Sequence, residues 1–217
     1  MRDLQVNVVP AKGQTFVPFI PPEKEGSGLR VLFLGNSFTY HRPRPEIGWE
    51  RSCGMAASDL EHDYVHRLMA RIREKNPQAT HAIHSTSFLI ERNLEDFCVE
   101  RFNESRAWNP DVVICFFGEN VPKDQPELAP VFGEACRALR RHISADGHAK
   151  CLWVGCFYDR PDLSEQKRLA AEAFGDPYVS LDDLTSREDV HGDFNHPNDF
   201  GMDLIAQRMF DALQEIL

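Results

Sequence analysis

The sequence predicts an α/β fold built on a parallel sheet covered on both faces. Three observations carry this. Short apolar runs recur along the 217 residues, and most end in a cluster of Gly, Asn, Ser or Asp. Segments with helical spacing lie between the runs. The clearest run, Val112-Val113-Ile114-Cys115-Phe116-Phe117, lacks the apolar/polar alternation of a half-exposed strand, so it reads as buried on both faces. Strands that alternate with helices pair in parallel through right-handed crossovers. A flavodoxin-like five-stranded sheet of order 2-1-3-4-5 is the economical topology.

Residues 1–28 read as an extended lead-in, because Pro10, Pro18, Pro21, Pro22 and the Gly-Ser-Gly at 26–28 interrupt any regular pattern. One edge strand is expected there, around 15–20. The domain proper takes 29–217. Strands are expected at 30–34, 81–85, 112–117, 151–156 and 178–181. Ser58-Asp59-Leu60-Glu61 has the form of a capping box, and Tyr64, Leu68 and Ile72 follow at helical spacing. Further helices are expected over 94–106, 128–144 and 164–174. A last one runs from about 198 to the end, with Ile205, Met209 and Leu213 on one face.

Composition excludes several function classes. There are 34 acidic against 24 basic residues, for a net charge of −10. This disfavours nucleic acid and anionic membranes, both of which select basic faces. No stretch approaches the ~20 apolar residues of a membrane span. Met1-Arg2-Asp3-Leu4-Gln5 lacks the apolar core of a signal peptide, so a cytoplasmic location is expected. The six cysteines form no C-x-x-C pair. With no matching His or carboxylate pattern, neither a metal nor a cofactor is expected.

The first strand ends in Gly35-Asn36-Ser37-Phe38-Thr39, a tight turn that presents a hydroxyl where open α/β sheets bind ligands. The third ends in Gly118-Glu119-Asn120. On the predicted order these two strands are neighbours, so Asn120 emerges on the same edge as Ser37. Near the C-terminus stand Asp193 and His196, three residues apart. Singly, each has a plain structural role: Ser37 as turn residue or N-cap, Asn120 as an Asx-turn, Asp193 as a helix cap, His196 as a surface group. Together they supply what acyl transfer needs. Ser37 attacks, His196 takes its proton and Asp193 orients the imidazole. The Asn120 side chain and the Ser37 N–H hold the oxyanion.

Gly35-Asn36-Ser37, Gly118-Glu119-Asn120 and Asp193-x-x-His196-Pro197 resemble three of the four signature blocks of the SGNH (GDSL-type) hydrolase superfamily, in its order. The resemblance covers about 30–217. It implies a three-layer α/β/α sandwich and metal-free ester hydrolysis at Ser37. It implies Asp193 and His196 as triad partners and Asn120 as oxyanion donor. One block departs: the glycine usual after the second strand is missing from His84-Ser85-Thr86-Ser87-Phe88, so Ser87, with Ser85 as the second choice, would have to supply that N–H.

The long loop after Ser37 carries Trp49, which is expected either to stack on substrate or to anchor the loop. Asn36 and Tyr40, flanking the serine, complete the candidate substrate contacts. A small-molecule ester is the expected partner, with a short-chain acyl ester of a carbohydrate favoured. A lipid esterase or thioesterase is the runner-up, and a degenerate ligand-binding module is the alternative of another class.

Overall fold

The computed structural model describes residues 19–24 and 26–214. Five parallel strands form one sheet: β1 (Arg30–Gly35), β2 (Thr80–Ser85), β3 (Val112–Phe116), β4 (Lys150–Val154) and β5 (Tyr178–Val179). Their order is β2-β1-β3-β4-β5, the predicted one. Helices α1 (Tyr64–Lys75), α2 (Asn103–Trp108), α3 (Leu128–Ile143), α4 (Pro161–Phe174) and α5 (Asp199–Leu213) connect and cover it.

Strand alternation divides the core. Val31, Phe33, Ile114, Phe116, Leu152 and Val154 pack on one face with Leu68 and Ile72 of α1 and Ile205 and Met209 of α5. Leu32, Leu34, Val113, Cys115, Cys151 and Trp153 pack on the other with Phe132 and Leu139 of α3 and Leu163 of α4. Successive side chains of a strand point to opposite faces, so a continuous apolar run feeds two cores. The result is a three-layer α/β/α sandwich. Among the described residues, no helix is long and apolar enough to cross a membrane.

Three local expectations are corrected. The segment 94–106 is not one helix. Short helical turns at Leu94–Asp96 and Val99–Phe102 precede α2, with extended backbone at Phe97 and Cys98. That extension lets both Leu94 and Phe102 reach the core, so burial overrides helix propensity. Ser58 does not cap α1. Asp63 does, accepting from His66 N at 2.8 Å, while Asp59 caps a separate turn at Leu60–His62. Aspartate caps as well as serine, and two of them stand nearer the helix. Of the expected edge strand, residues 15–18 lie outside the described ones, and Ile20 forms a single antiparallel bridge to Ile83.

Candidate active site

Strand register places the site. Gly35 of β1 stands level with Ser85 of β2 and Phe116 of β3. Ser37, Ser87 and Gly118, each two residues further on, therefore leave the sheet side by side. The turn at Ser37 is tied locally: Asn36 Oδ1 accepts from Phe38 N at 3.1 Å, and Asn36 O accepts from Thr39 N at 3.0 Å. A Cβ at Gly35 would collide with the Thr39 side chain and approach Phe116 O, so only glycine fits this return.

His196 reaches the same edge from the segment before α5. Asn198 caps that helix, accepting from Gly201 N at 2.9 Å, and Gly192 N donates to His196 O at 2.7 Å. Between them, Phe194 and Asn195 both adopt left-handed backbone, each with φ of 59°. For a bulky residue this is costly and marks a constrained segment.

Its effect is to aim the Phe194 carbonyl at the imidazole. His196 Nδ1 lies 2.8 Å from Phe194 O, and His196 Nε2 lies 2.8 Å from Ser37 Oγ. A carbonyl can only accept, so Nδ1 carries the proton. In the neutral ring Nε2 is then the acceptor, and Ser37 O–H donates to it. That is the geometry of a hydroxyl poised for deprotonation. The Tyr158 hydroxyl stands further off, 3.4 Å from Nδ1. The Phe38 ring packs edge-on against the imidazole, with centroids 4.8 Å apart.

The structure does not bring Asp193 to His196. Among the described residues its carboxylate has no hydrogen bond to the ring. It is exposed and lines a shallow depression with Arg51, Ser58, Asn198, Asp199 and Phe200. The left-handed turn is the reason: it brings a main-chain oxygen to the position where a carboxylate was expected.

Burial dominates the imidazole's ionisation. The residue is half-buried, and the atoms packed round the imidazole desolvate it and push its pKa down to about 4. The Phe194 carbonyl opposes this shift and His41 adds to it. Because the folded pKa lies below the ordinary value, the ring is neutral through the whole neutral range. His84, pushed down to about 4 by burial, behaves alike. Between about pH 6.5 and 4 the unfolded chain binds more protons at these two histidines than the folded one. Their contribution to stability is thus complete above about pH 6.5 and lost as pH falls towards 4.

The remaining candidates divide. Ser87 is buried at the start of a π-helical turn, Ser87–Glu91. Its N–H and that of Ser37 find no protein acceptor among the described residues. Asn120 is half-buried. Its Oδ1 accepts from Arg92 Nη2, which fixes the amide orientation, and its Nδ2 makes only a long contact, 3.4 Å, to Glu91 Oε1.

Two expectations of substrate contact are corrected. Asn36 is 2% exposed, and its amide hydrogens go to Glu119 Oε2 at 2.7 Å and Glu91 Oε1 at 3.1 Å. Trp49 is 1% exposed, donates to His41 O at 3.3 Å and meets Phe194 edge-on, so it anchors the loop. Tyr40 is partly exposed and packs on the core.

The sequence reading missed Glu91, Glu119 and Lys167, three buried charged side chains under the site. Burial holds the Glu119 carboxyl above its ordinary value, while Lys167 opposes this. Lys167 Nζ donates to Phe117 O at 2.7 Å. A glutamate following Phe88-Leu89-Ile90 was the available signal, since a charge at the end of an apolar run needs a buried partner. Among the described residues no group of three or more His, Cys, Asp or Glu is placed to hold a metal ion.

Solved structures of similar shape include carbohydrate esterases, an acyltransferase and proteins named as GDSL-like lipases. A carbohydrate esterase whose active site displays divergent catalytic and non-catalytic binding functions superposes with a TM-score of 0.59 and 13% identity, over 86% of this chain and 65% of that one. The salicylyl-acyltransferase SsfX3 of a tetracycline biosynthetic pathway gives 0.61 and 14%, over 89% and 57%. A protein from Bacteroides uniformis, named as a GDSL-like lipase, gives 0.57 and 15%, over 86% and 96%. The chain has the fold of the SGNH (GDSL-type) hydrolases. It spans less than two thirds of the length of the first two neighbours. At sequence level no protein-family model and no curated protein matches. Within the SGNH fold, the Ser37 turn follows the first strand and His196 precedes the last helix.

Proposed function

We propose that this SGNH-fold chain is a serine esterase with Ser37 as nucleophile and His196 as general base. The observation that carries the reading is the relay Ser37 Oγ to His196 Nε2, with Nδ1 held by Phe194 O, each link 2.8 Å. His196 accepts the Ser37 proton as Oγ attacks the ester carbonyl. It returns that proton to the leaving alcohol, and water repeats the sequence to free the acid. The oxyanion is stabilised by the N–H groups of Ser37 and Ser87, which have no acceptor among the described residues, and by Asn120 Nδ2. Asp193 then acts on substrate or solvent rather than on the imidazole.

The reading extends to a polar alcohol and a short acyl group, because the depression bordered by Asp193 and Asn198 of the His196 segment is lined largely by polar side chains. It is shallow and lined by Arg51, Ser58, Asp193, Asn198 and Asp199, with Phe200 at its rim. A long acyl chain gains about 0.8 kcal/mol per methylene only where the methylene is buried. Neither Ser37 nor His196 lines the depression, so it gives an acyl chain carried by Ser37 no apolar wall, and a short acyl group on a polar alcohol is the reading we favour.

Two experiments test this. A fluorophosphonate probe should label the protein at Ser37. Across p-nitrophenyl esters, kcat/KM should stay level or fall from acetyl to octanoyl. Absence of labelling would favour a ligand-binding module, and a steady rise with chain length would favour a lipid esterase.

The depressed imidazole pKa adds a third expectation. The acid limb of kcat/KM should lie near pH 4 to 5, well below the ordinary histidine range. Parallel measurement of folded fraction separates it from acid unfolding. A limb at pH 6 to 7.5 would mean that a carboxylate, with Asp193 nearest in sequence, does pair with His196 during turnover.

A further inference from the structure

The π-helical turn after β2 ends in Glu91, whose side chain is fully buried. One of its oxygens, Oε1, accepts from Gly118 N at 2.7 Å, Asn36 Nδ2 at 3.1 Å and Asn120 N at 3.2 Å. The other, Oε2, accepts from Thr86 Oγ1 at 3.0 Å. These donors lie on the loops that leave β1, β2 and β3. The next residue, Arg92, donates to Asn120 Oδ1, so Asn120 is held at its backbone and, through a long 3.4 Å contact from Nδ2, at its side chain by Glu91, and at its side-chain oxygen by Arg92. A carboxylate taken out of water costs several kcal/mol unless donors surround it. Here it is surrounded, and by the segments that present Ser37, Ser87 and Asn120.

We propose that Glu91, seconded by Arg92, is the positioning residue of the oxyanion site. It gathers the three loops onto one carboxylate, β1 and β3 on Oε1 and β2 on Oε2, and so sets the spacing of their donors. The inference rests on the esterase reading above. It also accounts for the missing glycine after β2. The wider i→i+5 turn, with Arg92 N donating to Ser87 O at 3.0 Å, leaves the Ser87 N–H without an acceptor among the described residues and returns Glu91 to the same edge.

The test compares the full-length wild type with Glu91→Gln, Glu91→Asp and Glu91→Ala, using p-nitrophenyl acetate and active-site titration by a fluorophosphonate. Asp is one methylene too short to reach all three loops. Its kcat per titrated site should fall about 10²-fold or more, with KM within about threefold, as for loss of an oxyanion donor. Ala should fall at least as far. Gln keeps an acceptor oxygen for the three N–H groups, and its amide can donate to Thr86, so it should stay within about tenfold of wild type. A merely structural role would lower melting temperature and the titratable fraction but leave kcat per site unchanged. Wild-type kcat in Glu91→Asp overturns the proposal. If Glu91→Ala does not fold, the Asp and Gln variants decide alone. If wild type is not labelled at Ser37, the esterase reading falls and this inference with it. If wild type is labelled and Glu91→Asp turns over normally, only the positioning role falls.

Discussion

Ser37→Ala is expected to lower kcat by about four or more orders of magnitude while leaving the melting temperature nearly unchanged. His196→Ala should cost about as much, and the double variant little more than either. Groups that act on one proton in sequence fail together, so their losses do not add. The hydroxyl and the imidazole meet at 2.8 Å, and neither is needed to hold the turn. That turn is closed by Asn36 and by Met55 N, which donates to Ser37 O at 2.8 Å. Steady-state turnover of p-nitrophenyl acetate and a thermal melt on each variant check this. Turnover in Ser37→Ala above a tenth of wild type would remove Ser37 from the chemistry. Fully additive losses in the double variant would mean that the two residues act independently.

Phe38→Ala should have the largest effect on stability. The ring is 1% exposed and lies among Phe116, Phe157, Tyr158 and His196, with centroids 5.6, 5.7, 5.4 and 4.8 Å away. Emptying such a position costs about 3–5 kcal/mol, because the aromatic walls cannot all close on the void. In a chain of this size each kcal/mol lowers the melting temperature by about 2–4 °C, so a fall of roughly 6–20 °C is expected. Activity of the folded fraction should drop as well, since the cavity opens against one face of the imidazole. Urea denaturation with a parallel activity assay separates the two effects. A melting temperature within about 2 °C of wild type would mean that the site refills. Phe38→Leu, which keeps most of the volume, should lose much less.

The sequence made the sheet legible because five buried strands leave unbroken apolar runs and each crossover leaves a helical period. Register then follows, and with it the meeting of the Ser37, Ser87 and Gly118 levels. The pairing of Ser37 with His196 was legible for the same reason: both sit where strand or helix must end at a turn. What held the imidazole was not. Asp193 has the right chemistry and spacing, but a peptide carbonyl has no letter in the sequence, and the left-handed backbone of Phe194 goes against that residue's preference. Trp49 was left undecided for a different reason. An aromatic in a long polar loop has the same composition whether it faces a ligand or pins the loop to the core. Segment 94–106 was misread because short charged helical turns and one helix share a pattern until Leu94 and Phe102 are both required to be buried. Glu91 was not singled out, since most of its partners come from loops far away in the chain.

The Phe194 carbonyl has a genetic consequence. No codon change at position 194 deletes a peptide oxygen, so a side-chain scan would score this site as two residues and never register the third partner. The information that holds the imidazole is spread over the shape of a short segment, through Gly192, Phe194, Asn195 and Pro197. Drift can therefore replace the individual letters while the apparatus survives. The lesions that break it would be those that alter chain length or forbid the turn, such as a one-residue deletion or a proline at position 195. Asp193, relieved of holding the ring, is free to diverge towards whatever the neighbouring depression comes to bind.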